Sequence, residues 1–241
     1  MVLFALIDAK MLGVRSMKNF SLSFYSLNLL LDLKGEFCVN IWYNMRVGGN
    51  PMPLSKKVKK YTYADYLVFP DHERWEIIDG VPYMQSAPTW QHQRISGELF
   101  RQISNYLLHK SCEVFASPFD LCLSDQEVKD EDTPNVYQPD LVVICDKSQL
   151  KGTGSFGVPS LVIEILSPST AKNDRLLKFN IYEKFGVQEY WIVEPDMKLV
   201  SVFILQNNNR YGRTELYTEI DDIKVSIFPD LMIDLSTVFD I

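Results

Sequence analysis

Leu161-Val162-Ile163-Glu164-Ile165-Leu166-Ser167-Pro168-Ser169-Thr170 is an apolar run with one acid inside it, closed by a turn-forming cluster. So short and dense a run reads as a strand buried on both faces. An unpaired carboxylate there costs on the order of several kcal/mol, so a metal ion or another cation is the expected compensation. A second acid precedes a second run: Pro139-Asp140 opens Leu141-Val142-Val143-Ile144-Cys145. Antiparallel pairing that aligns Cys145 with Leu161 sets Asp140 opposite Leu166, two residues from Glu164. Diagonal positions on one face lie about 7 to 8 Å apart, close enough for two carboxylates to share a divalent cation. The other Pro-Asp pairs carry less: Asp71 and Asp196 read as turn residues, and Asp230 leads no comparable strand.

A third group comes from geometry. From Glu164 to Ser167 a strand climbs about 10 Å, and from Ala171 to Lys178 a helix descends about 10.5 Å, which returns Lys178 to the height of Glu164. Ser169 or Thr170 is the expected cap, and Leu177, Ile181 and Phe185 the expected buried stripe, with Lys178 at its margin. The bland alternative for Lys178 is a surface pair with Asp174.

Working outward, the apolar residues Ile95, Leu99, Ile103 and Leu107 recur every four positions and predict an amphipathic helix over 91–109. Before it, Thr62 caps an expected helix over 63–68, and Asp79-Gly80 between Arg74–Ile78 and Val81–Met84 predicts a two-residue hairpin. Glu76 alternates with Trp75 and Ile77 and so reads as solvent-facing, while His92 in the first turn of a helix reads as exposed. Strands are expected over 113–116, 119–123, 140–145, 161–166 and 189–193, with a helix over 171–185. The core order is therefore helix, three strands, helix, strand. A β-rich tail follows over 199–205, 213–217 and 224–228, with a turn at Asn207-Asn208-Asn209.

The net charge of −7 argues against a protein that coats nucleic acid through a basic surface; any such contact is local. Lys56, Lys57, Lys59 and Lys60 form a short basic run that reads as a solvated linker. Cys38, Cys112, Cys122 and Cys145 never approach CxxC spacing, so no structural zinc is expected and a reduced cytoplasm is the simpler location. No apolar stretch is long enough for a membrane span. Residues 1–60 read as an N-terminal extension, either poorly ordered or preceding a native start at Met52, and 61–241 as the folded domain. Gly152-Thr153-Gly154-Ser155-Phe156-Gly157 matches the dinucleotide fingerprint, yet Pro159 and another strand follow where a helix is required. A flexible loop beside the site is expected instead.

Taken together, Gln138-Pro139-Asp140-Leu141-Val142-Val143, Leu161 to Ser169, then Asp174, Lys178, Tyr182 and Gly186-Val187-Gln188-Glu189-Tyr190-Trp191 resemble the Uma family of restriction-endonuclease-like proteins, within the PD-(D/E)XK nuclease superfamily. The likeness covers residues 60–240, and the hairpin at Glu76 and the helix opening at His92 belong to it. It departs from the superfamily pattern at Leu166, where a lysine is usual; the resemblance points to Lys178 as its replacement. The implied fold is an α/β restriction-endonuclease-like core (αβββαβ) with a mixed central sheet, an extra N-terminal hairpin and a β-rich C-terminal extension.

The implied activity is Mg²⁺-dependent hydrolysis of phosphodiester bonds in DNA, with Mn²⁺ as a substitute and a homodimer suited to cutting both strands. Asp140 and Glu164 hold the cation, Lys178 orients water and stabilises charge, Glu76 completes the shell or tethers Lys178, and His92 contacts phosphate. Two alternatives stay open: a nuclease-fold module without catalysis that binds DNA or a partner, and a phosphohydrolase for small phosphate esters.

Overall fold

Pairs of strands account for all that is described of the first part of the chain. The computed structural model describes residues 28–31, 37–40, 46–47 and 50–51, and residues 59–241 apart from 71, 125–127, 168–169 and 172. The expected start at Met52, the lysines 56 and 57, Asp71 and the cap at Ser169 lie outside the described residues. The chain divides into two compact units, Met1–Val58 and Lys59–Ile241. In the first, β1 (Asn28–Leu31) pairs with β2 (Phe37–Asn40) and β3 (Arg46–Val47) with β4 (Asn50–Pro51), both antiparallel.

The second unit begins with α1 (Tyr63–Tyr66), β5 (Arg74–Ile78), β6 (Val81–Gln85) and α2 (Trp90–Leu107). Then come β7 (Glu113–Ala116), β8 (Asp120–Cys122), β9 (Val136–Tyr137), β10 (Leu141–Ile144), β11 (Leu150–Lys151), β12 (Gly154–Phe156) and β13 (Leu161–Ile165). A π-helical turn, Asn173–Lys178, runs into α3 (Phe179–Phe185). It ends with β14 (Glu189–Glu194), β15 (Leu199–Ile204), β16 (Glu215–Thr218), β17 (Asp222–Lys224), β18 (Met232–Asp234) and α4 (Leu235–Val238).

A central mixed sheet runs β16-β15-β14-β13-β10-β7, with β13 and β14 parallel and the other pairs antiparallel. The series α2, β7, β10, β13, α3, β14 follows the helix, three strands, helix, strand order. β8 leaves that sheet for a second one, β11-β12-β8-β9-β5-β6.

Burial on both faces explains why β10 is apolar throughout and β13 is apolar but for Glu164. On one face Leu141, Val143, Leu161, Ile163 and Ile165 meet Ile95, Leu99, Ile103 and Leu107 of α2 together with Ile233, Leu235 and Phe239 of the C-terminal segment. On the other, Val142, Ile144, Val162, Tyr190 and Ile192 pack against Tyr182, Val187 and the second sheet's Ile78, Leu121 and Tyr137. Each such aliphatic side chain contributes about 1.5 to 3 kcal/mol.

The hairpin turn forms as its residues dictate, with Asp79 at φ 50 and Gly80 at φ 74 between Ile78 and Val81. Thr62 caps α1, its amide donating to the Asp65 carboxylate at 3.0 Å.

Three expectations change here. The glycine-rich stretch is no flexible loop: Gly154 to Phe156 form β12, parallel to β8, and a Cβ on Gly154 would lie 1.9 Å from the Asp120 carbonyl oxygen. Glycine is there for close strand approach. The tail strand expected over 224–228 is a turn, because the Glu189 carboxylate accepts from the amides of Ser226 and Ile227 and holds the chain in a bend between β17 and β18. Finally, Cys112 and Cys145 form a disulfide between the end of the α2–β7 connection and the end of β10. The reduced reading rested on sequence spacing, and antiparallel pairing brings together cysteines that spacing keeps apart.

Candidate active site

Asp140 and Glu164 face each other. The ladder between β10 and β13 pairs Leu141 with Ile163 and Val143 with Leu161, and its next step sets Asp140 across from Glu164. The expected alignment of Cys145 with Leu161 was two residues off, since Leu161 pairs with Val143. A shift of two keeps every side chain on its own face, so the acids remain on one side and come closer, at about 4.5 to 5.5 Å between Cβ atoms. The Asp140 Oδ2 accepts from the Ile165 amide at 2.8 Å and lies 3.2 Å from His92 Nε2.

Lys178 reaches the height of Glu164, as strand and helix rise require. Its Nζ lies 2.9 Å from Glu164 Oε1, 2.8 Å from Glu76 Oε1 and 3.2 Å from Asp174 Oδ1. The helix phase differs from expectation: Lys178 is 2% exposed and Leu177 37%. Two turns back from Phe185 fall nearer Lys178 than Leu177, so the strict four-residue spacing of the expected apolar stripe drifted off the buried face. The inward stripe is Asp174, Lys178 and Tyr182, whose hydroxyl donates to Glu164 Oε1 at 3.0 Å.

Glu76 is fully buried, contrary to its solvent-facing reading. Alternation misled because the second sheet is covered on both sides, with Ile77 in the α1 cluster and Ile78 against the central sheet. Both Glu76 oxygens are engaged: Oε1 by the Gln138 amide at 2.9 Å and by Lys178, Oε2 by Gln85 Nε2 at 2.6 Å. His92 is also buried rather than exposed, because α2 enters over β10 after the Thr89 cap. Its Nδ1 is enclosed without a hydrogen-bond partner.

These residues line a cleft of about 410 Å³ that includes His92, Asp140, Glu164, Asp174 and Lys178. Glu76 does not line it. Among the described residues no hydrogen bond reaches Asp140 Oδ1 or Glu164 Oε2. Burial pushes the Glu164 carboxyl well above the usual range, against the pull of Lys178. For Lys178 burial works downward, but the carboxylates of Glu164, Glu76 and Asp174 outweigh it and raise the ammonium well above its ordinary value. One ammonium therefore faces three carboxyl groups, and burial favours the protonated form of two of them, Glu164 and Asp174.

Sequence reasoning missed Asp174 as an interior group, and it missed Tyr182, Gln85 and Arg74. Their signals were the i, i+4, i+8 repeat of Asp174, Lys178 and Tyr182, and the strand alternation that puts Arg74 on the face of Glu76. Arg74 and Gln85 are cross-strand partners.

A family model described as "Putative restriction endonuclease" (Uma2) matches residues 62–236, which span every residue of this cluster. The chain belongs to the Uma2 family. Within the same group of resemblances, the uncharacterized protein slr1290 of Synechocystis sp. is 33% identical over 137 residues, 56% of this chain and 68% of that protein. The uncharacterized protein sll1609 of the same organism is 26% identical over 173 residues, 70% of this chain and 94% of that one. A crystal structure of a putative nuclease belonging to DUF820 from Anabaena variabilis ATCC 29413 superposes with a TM-score of 0.59 at 21% identity, covering 74% of this chain and 97% of that one. The Uma2 chain thus has a mixed α/β nuclease fold. No helix among the described residues is long and apolar enough to cross a membrane.

Proposed function

We propose that this Uma2 chain is a metal-dependent endonuclease that hydrolyses phosphodiester bonds in DNA. The observation that carries the reading is the pair of opposed acids, Asp140 and Glu164, with Lys178 Nζ 2.9 Å from Glu164 at the wall of the cleft. Their donor chemistry fits a hard divalent cation: two carboxyl groups, each with an oxygen that no hydrogen bond reaches among the described residues. Among the described residues no group of three or more His, Cys, Asp or Glu side chains is placed to hold a metal ion, so the protein would supply two carboxylates and water the rest. An open site suits Mg²⁺, which keeps several of its waters, with Mn²⁺ as a substitute. Held by Asp140 and Glu164, the cation would neutralise phosphate oxygens and lower the pKa of a water.

The chain's own groups have separate tasks. Lys178 keeps its proton and presents a fixed positive charge to the attacking water and to the charge that develops on the phosphate. Glu76 tethers Lys178 rather than binding the cation, because both of its oxygens are taken. His92 orients Asp140 in place of the expected phosphate contact, since its Nε2 is on Asp140 and its Nδ1 is enclosed. A homodimer would let two such sites cut both strands. A cytoplasmic location belongs to the same reading; the Cys112–Cys145 disulfide speaks against it, and alkylating thiols in cells before lysis decides the point.

Incubation with plasmid DNA in Mg²⁺, Mn²⁺ or EDTA tests the activity. Cleavage is expected in both metals and absent in EDTA; no cleavage in either metal sinks it. One observation favours a second reading, a non-catalytic DNA-binding or interaction module: Lys178 is already held by three carboxylates. Titration calorimetry separates the two, since a module without catalysis binds no Mg²⁺ in a Glu164-dependent way.

A further inference from the structure

Arg74 differs from Arg94, Arg101, Arg175 and Arg210, which lie on the surface beside acids, in having no acid at ion-pair distance among the described residues. Its guanidinium, half-buried, donates from Nε to Gln138 Oε1 at 3.4 Å and from Nη2 to Ser117 Oγ, both neutral acceptors. Among the described residues no carboxylate oxygen lies within ion-pair distance of it. Burying part of a guanidinium without a counter-charge is costly unless an anion arrives. In a chain of net charge −7, an unpaired cation kept this close to the acids asks for a ligand.

The surroundings say where that ligand lies. Beyond Arg74 a second cavity of about 220 Å³ opens between α2 and the segment after β7. It shares Arg74, His92 and Asp140 with the main cleft, so the two form one groove with the guanidinium at their junction. Its further walls are Gln93, Ser96 and Gly97 of α2 together with Phe100, Ala116 and Ser117, and none of these is an acid. Gln93, Ser96 and Gly97 share one helix face at i, i+3 and i+4. A Cβ placed on Gly97 would meet nothing within 4 Å, so the helix leaves room there.

We infer that this second cavity, with Arg74 at its mouth, is a subsite for the phosphodiester next to the one being cut. The inference rests on the nuclease reading and sharpens it. A polymeric phosphodiester fills both cavities, whereas a small phosphate ester fills only the first. Arg74 grips the neighbouring phosphate through its planar fork, and the Ser96, Gln93 and Ser117 side chains offer neutral donors along the same strand.

The test is binding of a fluorescein-labelled DNA duplex in Ca²⁺, read by anisotropy across a range of salt. Arg74→Gln is expected to weaken binding about 10-fold and to lower the slope of log affinity against log salt by about 1, the signature of one lost phosphate contact. Gly97→Glu, which puts a like charge in the second cavity, is expected to weaken binding to a similar degree, while Gly97→Gln does not. An unchanged salt slope in Arg74→Gln overturns the inference, as does Gly97→Gln proving as harmful as Gly97→Glu, or wild-type protein failing to bind the duplex. Wild type that binds with these slopes but cuts nothing in Mg²⁺ or Mn²⁺ overturns the nuclease reading alone.

Discussion

Lys178 and Glu164, fourteen residues apart in the chain, meet at 2.9 Å inside the protein. Asp140→Ala or Glu164→Ala is expected to abolish metal-dependent plasmid cleavage. Lys178→Ala is expected to lower the rate about 10²- to 10³-fold, the usual cost of one lost transition-state donor. Initial rates on supercoiled plasmid check this. Unchanged cleavage by Asp140→Ala would falsify the assignment of the acids.

Removing Lys178 also leaves Glu76, Glu164 and Asp174 facing one another without a cation. Breaking a buried ion pair from one side costs about 3 to 5 kcal/mol. Urea unfolding of Lys178→Ala should show a loss of that size, and Mg²⁺ should recover part of it. A variant as stable as wild type would mean that the lysine neutralises nothing.

Tyr182→Phe keeps the ring packed against Tyr137 and Tyr190 but deletes the hydroxyl that donates to Glu164. Losing a hydrogen bond to a carboxylate costs about 1.5 to 3 kcal/mol. The expected result is a lower denaturation midpoint at an unchanged m-value, together with slower cleavage. Full activity in this variant would show that the hydroxyl has no part in setting the Glu164 orientation.

Glu98 supplies a pH test away from the cleft. The Arg101 guanidinium, with Gln102 and Thr237, holds its carboxyl down at about 2, against an ordinary value of 4.5. A lowered folded-state pKa means stabilisation that is complete above 4.5 and fades as the pH falls toward 2. The Tm gap between wild type and Glu98→Gln should therefore be widest near neutrality and shrink through that acid window. A gap that widens on acidification contradicts the sign.

Cys112 and Cys145 enclose a loop with a sequence separation of 33. Loop closure of that size is worth about 3 to 4 kcal/mol in the chain-entropy account. Reductant should lower the Tm of wild type and leave a Cys112→Ser, Cys145→Ser double variant unmoved. Equal Tm values with and without reductant would mean that the bond contributes nothing.

Much of the fold was legible because local chemistry and tertiary structure agree at particular places. Asp79-Gly80 turns because both residues accept positive φ, and α2 forms where Ile95, Leu99, Ile103 and Leu107 make one stripe. Lys178 was reachable from rise per residue alone. What failed depended on partners distant in the chain. Glu76 reads as outward by alternation until a second layer covers its strand. Leu177 and Lys178 exchange places because the buried stripe is the polar series Asp174, Lys178 and Tyr182, which a search for apolar residues passes over. The β10–β13 register, Val143 against Leu161, was not fixed by the apolar pattern, since a shift of two leaves every side chain on the same face. Alternation puts Arg74 on the face of Glu76, but its missing counter-ion shows only in the folded chain.

The lysine that joins Glu76 of one sheet to Glu164 of the other also sets when this chemistry can begin. A nascent chain that has left the ribosome as far as β10 carries Glu76, His92 and Asp140 but neither of their later partners. The constellation is complete only once Glu164, Asp174 and Lys178 have been made and docked, so on the nuclease reading proposed above shorter fragments cut nothing.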